Sequence, residues 1–85
     1  MRIEDEIRAR LAAAFAPKRL EVVNESHRHA GHAGDDGSGE THFAVVIRSE
    51  AFAGQSRLAR HRAVHGAIGA DLVTRIHALA LDIDA

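Results

Sequence analysis

Four of the seven histidines in this sequence lie within nineteen residues, between Glu25 and Phe43, and the chain contains no cysteine. Neutral imidazole is a good ligand for zinc and other transition metals, whereas the composition excludes thiolate ligands. The unperturbed pKa of histidine is about 6.5, so protons compete with a metal for these nitrogens in mild acid. From the residues alone, the stretch is either a metal site, with zinc favoured over iron, or a solvated polar turn.

The same stretch offers little for catalysis. Ser26 precedes His27, but neighbouring residues on an extended strand point to opposite faces, which separates a nucleophile from its base. Asp35 and Asp36 form a like-charged turn that suits exposure to solvent. The glycines of "AGHAGDDGSG" are followed by neither a lysine nor a helix, so they do not match a phosphate-binding loop. We therefore expect no catalytic residue and no enzymatic activity.

The remaining histidines have structural interpretations. His77 falls in an apolar alternating stretch, where a single histidine is more often hydrogen-bonded at a sheet edge than bound to metal. His61 and His65 lie on a helix face that we expect to be covered, which favours a structural role for both. His42 stands beside Phe43 at the start of a strand, and its role stays open between structure and the orientation of a metal ligand.

Composition limits the size of the protein and the partners that it attracts. Eighty-five residues with three phenylalanines and no tryptophan or tyrosine predict one small domain, residues 1–85, around an aliphatic core. The formal net charge of -1 gives no general attraction to nucleic acid or to anionic membranes. No apolar run reaches the length of a membrane span, and "MRIEDEIRAR" is acidic and periodic, unlike a targeting peptide. We expect a cytoplasmic protein that is monomeric when alone.

Hydrophobic periodicity predicts a helix followed by two strands. Large apolar residues recur every four positions from Ile3 to Phe15, acidic residues open this helix, and a proline ends it. The segments "LEVVNES" and "THFAVVIRS" are rich in β-branched residues and bounded by turn residues, so both are predicted strands of a hairpin. The connection between them, "HRHAGHAGDDGSGE", is too long for a tight turn and too rich in glycine for regular structure.

Further elements follow the second strand. In "SEAFAG", Ser49 can cap a short turn. A longer helix is predicted from Arg57 to about Val73. Its expected buried face consists of Leu58, His61, Val64, His65, Ile68 and Leu72. "RIHALALDID" alternates in hydrophobicity and predicts a last strand. The order αββααβ predicts an α+β domain in which a three-stranded sheet is covered by helices.

These segments together resemble the BolA family, and the resemblance covers nearly the whole chain. Its most specific parts are "NES" with the histidines that trail it, "THF" at the start of the second strand, "RHR" on the long helix and "HALAL" in the last strand. The sequence is most similar to family members with histidine in the first hairpin loop. The resemblance implies a fold similar to the type II KH arrangement, in agreement with the αββααβ order. Many family members continue into a further helix after the last strand, whereas this sequence ends at Ala85.

The resemblance also implies an adaptor that pairs with a monothiol glutaredoxin and shares a [2Fe-2S] cluster with it, in iron–sulfur trafficking or iron sensing. Two histidines can serve one iron of such a cluster, as Rieske-type centres show. The sulfur ligands would come from the cysteine of the partner and its bound glutathione. By the pattern of the family, the histidine ligands fall on His77 and His29. His27 and His32 are alternatives to His29, because loop length varies between relatives. We expect the isolated protein to hold no cluster stably.

A function of another class stays open, that of a nucleic-acid-binding transcriptional regulator. KH-like folds bind single strands, and some BolA relatives are described as transcription regulators. Arg57, Arg60 and Arg62 could form a basic patch on the long helix, and Arg48 or Arg75 could extend it. A KH domain grips the nucleic-acid backbone with a GXXG loop between two helices, whereas the corresponding link in this sequence has one glycine.

Overall fold

The computed structural model describes residues 2–25, 42–76 and 78–85. The elements are α1 (Ile3–Phe15), β1 (Arg19–Asn24), β2 (His42–Arg48), a short 3-10 helix (Glu50–Phe52), α2 (Arg57–Ile68), α3 (Ala70–Val73) and β3 (Ala78–Asp84). They follow the predicted order, except that the long helix is divided in two. The predicted α+β domain with a three-stranded sheet is confirmed. None of the helices in the described ranges has the length and apolar character needed to cross a lipid bilayer.

The first helix forms because its apolar residues share one face. Ile3, Ile7 and Leu11 are buried at four-residue spacing, and the acidic residues of the first turn lie at the positive end of the helix dipole. The helix ends at Ala16, which adopts a left-handed φ of 44° just before Pro17. Because proline disfavours the helical conformation of the residue before it, the helix stops where the sequence predicts.

The three strands form one mixed sheet in the order β1-β2-β3. β1 and β2 pair antiparallel, with Val22 opposite Val45, which confirms the predicted hairpin pairing. β3 lies on the other side of β2 and runs parallel to it, with Leu81 opposite Val45. Parallel neighbours require a crossover connection, and α2 and α3 lie in that connection.

The sheet has two distinct ends. At one of them, which we call the site end, Glu25 follows β1, His42 opens β2 and Ala78 opens β3. At the other, which we call the anchored end, Arg48 closes β2 and Asp84 closes β3. The long connection between β1 and β2 therefore leaves the sheet and returns to it at the site end.

The helices cover one face of the sheet. Alternate residues of β2 are buried, and the paired residues of β3 are partly buried on the same side, as strand alternation predicts. The core consists of Ile3, Ile7, Leu11, Val22, Phe43, Val45, Ile47, Phe52, Val64, Ile68 and Leu72. The ring of Phe52 is tilted against that of Phe15, with centroids 4.8 Å apart. Apart from its phenylalanines, the core is aliphatic, as the composition predicts.

The single helix predicted up to Val73 is wrong in one respect, because it breaks at Gly69, whose φ is 92°. Arg10 of α1 reaches this break, where its guanidinium donates to the Ile68 carbonyl and, at 3.2 Å, to Asp71 Oδ1. A Cβ atom at position 69 would lie 2.6 Å from Asp71 Oδ1. The backbone conformation therefore favours glycine, whereas the nearby atoms are the ends of side chains that can shift.

The predicted buried face of the long helix is only partly correct. Val64, Ile68 and Leu72 are fully buried, but Leu58 is 59% exposed. The expected burial of His65 is wrong, because that side chain is exposed. Helical periodicity identifies residues that share a side of the helix, but the buried residues of α2 all lie in its second half. The first turns of α2 extend beyond the part that the core covers.

Candidate functional site

Two pairing contacts bring three chain segments together at the site end. The Glu25 N–H donates to the His42 carbonyl at 2.8 Å, which holds the end of β1 against the start of β2. The parallel register places His42 opposite Ala78. Because neighbouring strands are about 4.8 Å apart, the backbones at these three residues form one narrow edge.

The four histidines predicted as metal ligands lie outside the residues that the structure describes. They are His27, His29, His32 and His77. Three of them belong to the β1–β2 connection, and the fourth directly precedes β3, so the covalent chain joins both segments to the site end. Within residues 2–25, 42–76 and 78–85, no three histidine, aspartate or glutamate side chains are grouped so as to hold a metal ion. The ligand assignments stay predictions.

His42 is the one histidine of the opening stretch that the structure describes. Its side chain is only 7% exposed. It lies opposite Ala78, the residue that follows His77 in the chain. Strand alternation did not reveal this burial, because alternation predicts that only one of two neighbours is covered, and Phe43 is buried as well. A buried imidazole next to the chain that carries a predicted ligand suits the orientation of that ligand.

The basic patch predicted on the long helix is divided by the structure. Arg60 donates from Nε to the Phe52 carbonyl at 3.1 Å, and its Nη1 lies 3.2 Å from Asp84 Oδ1. Arg57 and Arg62 are exposed, and neither forms an ion pair within the described part of the chain. Arg60 therefore ties α2 to the end of β3, and two arginines of the three are left for an external anion.

The two arginines predicted to extend that patch are paired as well. Arg48 Nη2 lies 3.1 Å from Asp82 Oδ1, across the two neighbouring strands. Arg75 Nη2 lies 3.1 Å from Glu6 Oε2, which connects the segment before β3 to α1. An arginine whose charge is already matched attracts a phosphate less strongly, so these contacts weaken the predicted nucleic-acid surface.

A groove of about 300 Å³ separates α2 from β3. It is lined by Arg57, Arg60, His61, Leu81, Asp82 and Ile83. An adjoining hollow is bordered by Arg57, Leu58 and His61. His61, which we predicted to be structural, is half buried in the wall of this groove and not in the core. Sequence reasoning missed the groove because it joins residues that are about 20 positions apart in the chain.

A family model for BolA-like protein matches residues 11–85 of the chain. The chain belongs to the BolA family. The matched range includes all three strands, α2 and α3, so the resemblance carried by the sequence motifs is confirmed. The BolA assignment rests on the whole sheet and on the crossover helices, and not on the histidine stretch alone.

Individual BolA relatives agree with this assignment. The chain is 51% identical over 83 residues to an uncharacterized protein in the cobS 5' region of Sinorhizobium sp., covering 96% of this chain and 89% of the relative. It is 46% identical over 81 residues to the DNA-binding transcriptional regulator BolA of Escherichia coli K12, covering 95% of this chain and 73% of the relative. Among solved structures, BolA1 from Arabidopsis thaliana matches with a TM-score of 0.81 at 36% identity, covering 95% of this chain and 88% of that one.

Proposed function

We propose that this BolA-family protein is a non-catalytic adaptor. It pairs with a monothiol glutaredoxin and supplies histidine ligands to a [2Fe-2S] cluster that the two proteins share, in iron–sulfur cluster trafficking or iron sensing. The observation that supports the proposal most directly is the convergence of chain segments at the site end. In a chain without cysteine, both histidine-bearing segments are attached to one narrow edge formed by Glu25, His42 and Ala78.

The donor set suits a shared cluster better than one held by this chain alone. Clusters of this type are normally held by cysteine thiolates, and two imidazoles can replace the thiolates on one iron. This chain offers imidazole but no thiolate. His29 and His77 would therefore ligate one iron, while the cysteine of the glutaredoxin and its bound glutathione supply sulfur to the other. When bound, the cluster supplies the iron that joins the two proteins.

The reach of the chain supports a site built from both segments. Residue 77 directly precedes Ala78 in the chain, and the Cα atoms of consecutive residues are about 3.8 Å apart. His29 follows Glu25 by four residues, which allows a maximum reach of about 14 Å. His27 is closer to Glu25 along the chain and His32 is farther away, so both remain alternatives to His29. His77, which directly precedes β3, has no such neighbour in the sequence.

A mixing experiment tests the proposal. The protein is added to a monothiol glutaredoxin that carries its cluster and glutathione, and the visible absorption, circular dichroism and mass of the product are recorded. We expect a heterodimer whose spectra differ from those of the glutaredoxin homodimer. Unchanged spectra, with the homodimer as the only species that contains cluster, would refute the adaptor function. We infer a cytoplasmic setting, where glutathione is abundant, and a monomer before mixing.

A second candidate function is transcriptional regulation through nucleic-acid binding. Two observations favour it: the similarity to the Escherichia coli regulator, and the exposure of Arg57 and Arg62 on α2. If both arginines contact phosphate, each replacement by alanine should reduce the slope of log affinity against log salt by about 0.7–0.9. Arg60 is unsuitable for this test, because it ties α2 to β3. Absence of binding at low salt would remove this candidate.

A further inference from the structure

The outer edge of β3 presents backbone groups that the sheet does not use. The Ser49 N–H donates to the Asp84 carbonyl at 3.1 Å, so Asp84 directs its backbone toward β2. Because successive residues of a strand alternate, the residues at every second position before Asp84 do the same. The intervening residues direct their N–H and C=O groups away from the sheet. They are Leu79, Leu81 and Ile83.

This edge is open over most of its length. Arg60 covers its far end, since Nη1 lies 3.5 Å from the Ile83 carbonyl. Among the described residues, no bond satisfies the outward groups of Leu79 and Leu81. Natural sheets usually blunt their edges by short length, proline, charged side chains or a bulge. β3 is seven residues long and contains neither proline nor lysine, and its two aspartates are paired with Arg48 and Arg60. The edge is therefore suited to accept another strand.

The groove between α2 and β3 borders the same edge. A strand added to β3 would direct alternate side chains toward α2. There they would meet Leu58, which is 59% exposed, together with His61 and Arg57. Arg57 has no ion pair in the described ranges, so its charge is available to an incoming carboxylate. Leu58 would therefore pack against an aliphatic side chain of the added strand, and Arg57 would pair with an acidic one.

We propose that the outer edge of β3 and the adjoining groove bind an extended polypeptide segment of a partner protein. In that segment an aliphatic side chain and an aspartate or glutamate lie two residues apart. Single-stranded nucleic acid fits less well, because such binding relies on aromatic stacking platforms and a continuous positive groove. The groove lining contains no phenylalanine, Arg60 is paired with Asp84, and Asp82 adds a negative charge. The surface needs none of the histidines proposed to bind the cluster.

A displayed library of short random peptides supplies the probe. Peptides selected on the full chain are synthesised, and their binding is followed by fluorescence anisotropy and by the amide chemical shifts of the protein. We expect the recovered sequences to share an aliphatic and an acidic position two residues apart, with the largest shifts at Leu79 and Leu81. Recovery of no binder, or of peptides that shift other surfaces, would overturn the proposal.

Backbone pairing is tested on the peptide, which leaves the folding of the protein unaffected. Methylation of alternate peptide amide nitrogens removes the hydrogen-bond donors on one side of the added strand. One of the two alternate patterns should weaken binding about ten-fold, and the other should have little effect, because only one side faces β3. Equal effects of the two patterns would contradict strand addition.

The charge contact is tested with two arginines of the same helix. Arg57→Ala should weaken peptide binding about two- to five-fold, as expected for an exposed ion pair. Arg62→Ala is the matched control, since Arg62 is exposed on α2 but does not line the groove, and it should leave affinity unchanged. An equal loss in both variants would overturn the assignment. So would an oligothymidine that shifts the β3 amides more strongly than any selected peptide, which would indicate a nucleic-acid groove.

Discussion

The anchored end and the site end of the sheet are held in different ways. At the anchored end, side chains cross between elements: Arg48 pairs with Asp82 at 3.1 Å, and Arg60 pairs with Asp84 at 3.2 Å. The hydroxyl of Ser49, which is only 3% exposed, donates to the carbonyl of the last residue of α1 at 2.8 Å. These contacts join β2, β3, α1 and α2 at one place.

At the site end, backbone pairing holds the strands together. The Glu25 N–H donates to His42, and His42 pairs in register with Ala78. The side-chain pairs Arg48–Asp82 and Arg60–Asp84 therefore lie at the anchored end, and the site end carries the segments with predicted ligands. Because of this division, we expect substitutions at the anchored end to change the free energy of unfolding, and substitutions of the predicted ligands to change cluster formation.

The largest expected effect is in the core. Phe52 is fully buried and its ring contacts that of Phe15, so Phe52→Ala should lower the free energy of unfolding by about 3–5 kcal/mol. The matched control is Leu58→Ala, because Leu58 is 59% exposed and its loss should change stability by about 0.5 kcal/mol or less. Urea denaturation measures both. Similar losses in the two variants would show that the described core boundary is wrong.

The helix break gives the next largest effect. Gly69→Ala should cost about 1–3 kcal/mol, because alanine is strained at a φ of 92° and its Cβ would approach Asp71 Oδ1. Gly66→Ala provides the opposite case on the same helix, where a Cβ meets no atom within 4 Å. It should stabilise the protein by about 0.5–1 kcal/mol. Thermal unfolding checks the two signs, and equal signs would contradict the helix break.

A smaller effect should follow at the anchored end. Arg60→Ala removes donors to the Phe52 carbonyl and to Asp84, and it should lower the free energy of unfolding by about 1–2 kcal/mol. Arg62→Ala, on the same helix without such contacts in the described chain, should be nearly neutral. Cluster formation with the glutaredoxin should be retained by Arg60→Ala while the variant is folded. Selective loss of the cluster spectrum would break the separation of the two ends.

The smallest effect concerns pH. The hydrogen bond and the charge of Arg10 hold the pKa of Asp71 below its ordinary value of 3.8. A carboxylate with a lowered pKa stabilises the folded state above its unfolded pKa and loses this contribution as the pH falls through the folded pKa. The melting temperature of wild type should exceed that of Asp71→Asn by a constant margin at neutral pH, and the margin should shrink below about pH 4. In an Arg10→Gln background, this pH dependence should be reduced, because only the backbone hydrogen bonds of Leu72 and Asp71 would still lower the pKa of Asp71.

Local sequence patterns predicted most of the fold. Four-residue spacing gave α1, β-branched composition between turn residues gave β1 and β2, and alternation gave β3, because these signals are local in the sequence. The break at Gly69 was missed because a single glycine is tolerated inside a helical pattern. The Arg10 contacts at the break come from a residue about 60 positions earlier in the chain, which local periodicity cannot indicate. The exposure of Leu58 was missed because periodicity does not show how far along α2 the cover extends.

Less of the candidate site could be predicted from local patterns. The choice of His77 and His29 came from the resemblance, since a histidine-rich polar loop, taken by its residues alone, is more often a solvated turn than a metal site. The convergence at the site end depends on β3 being parallel to β2, and a strand pattern carries no information about its direction. The burial of His42 also follows from tertiary packing, so no sequence period could indicate it.

The proposal that histidines of this chain ligate the shared cluster is tested most directly by visible circular dichroism of the glutaredoxin mixture, measured with single histidine variants. His77→Ala should abolish the spectrum of the heteromeric cluster while thermal unfolding of the isolated protein is unchanged, because β3 offers no substitute ligand. His29→Ala should abolish it or nearly so, whereas His27→Ala and His32→Ala should retain it. If all four folded variants retain the altered spectrum, the proposal that histidines of this chain ligate the shared cluster is contradicted.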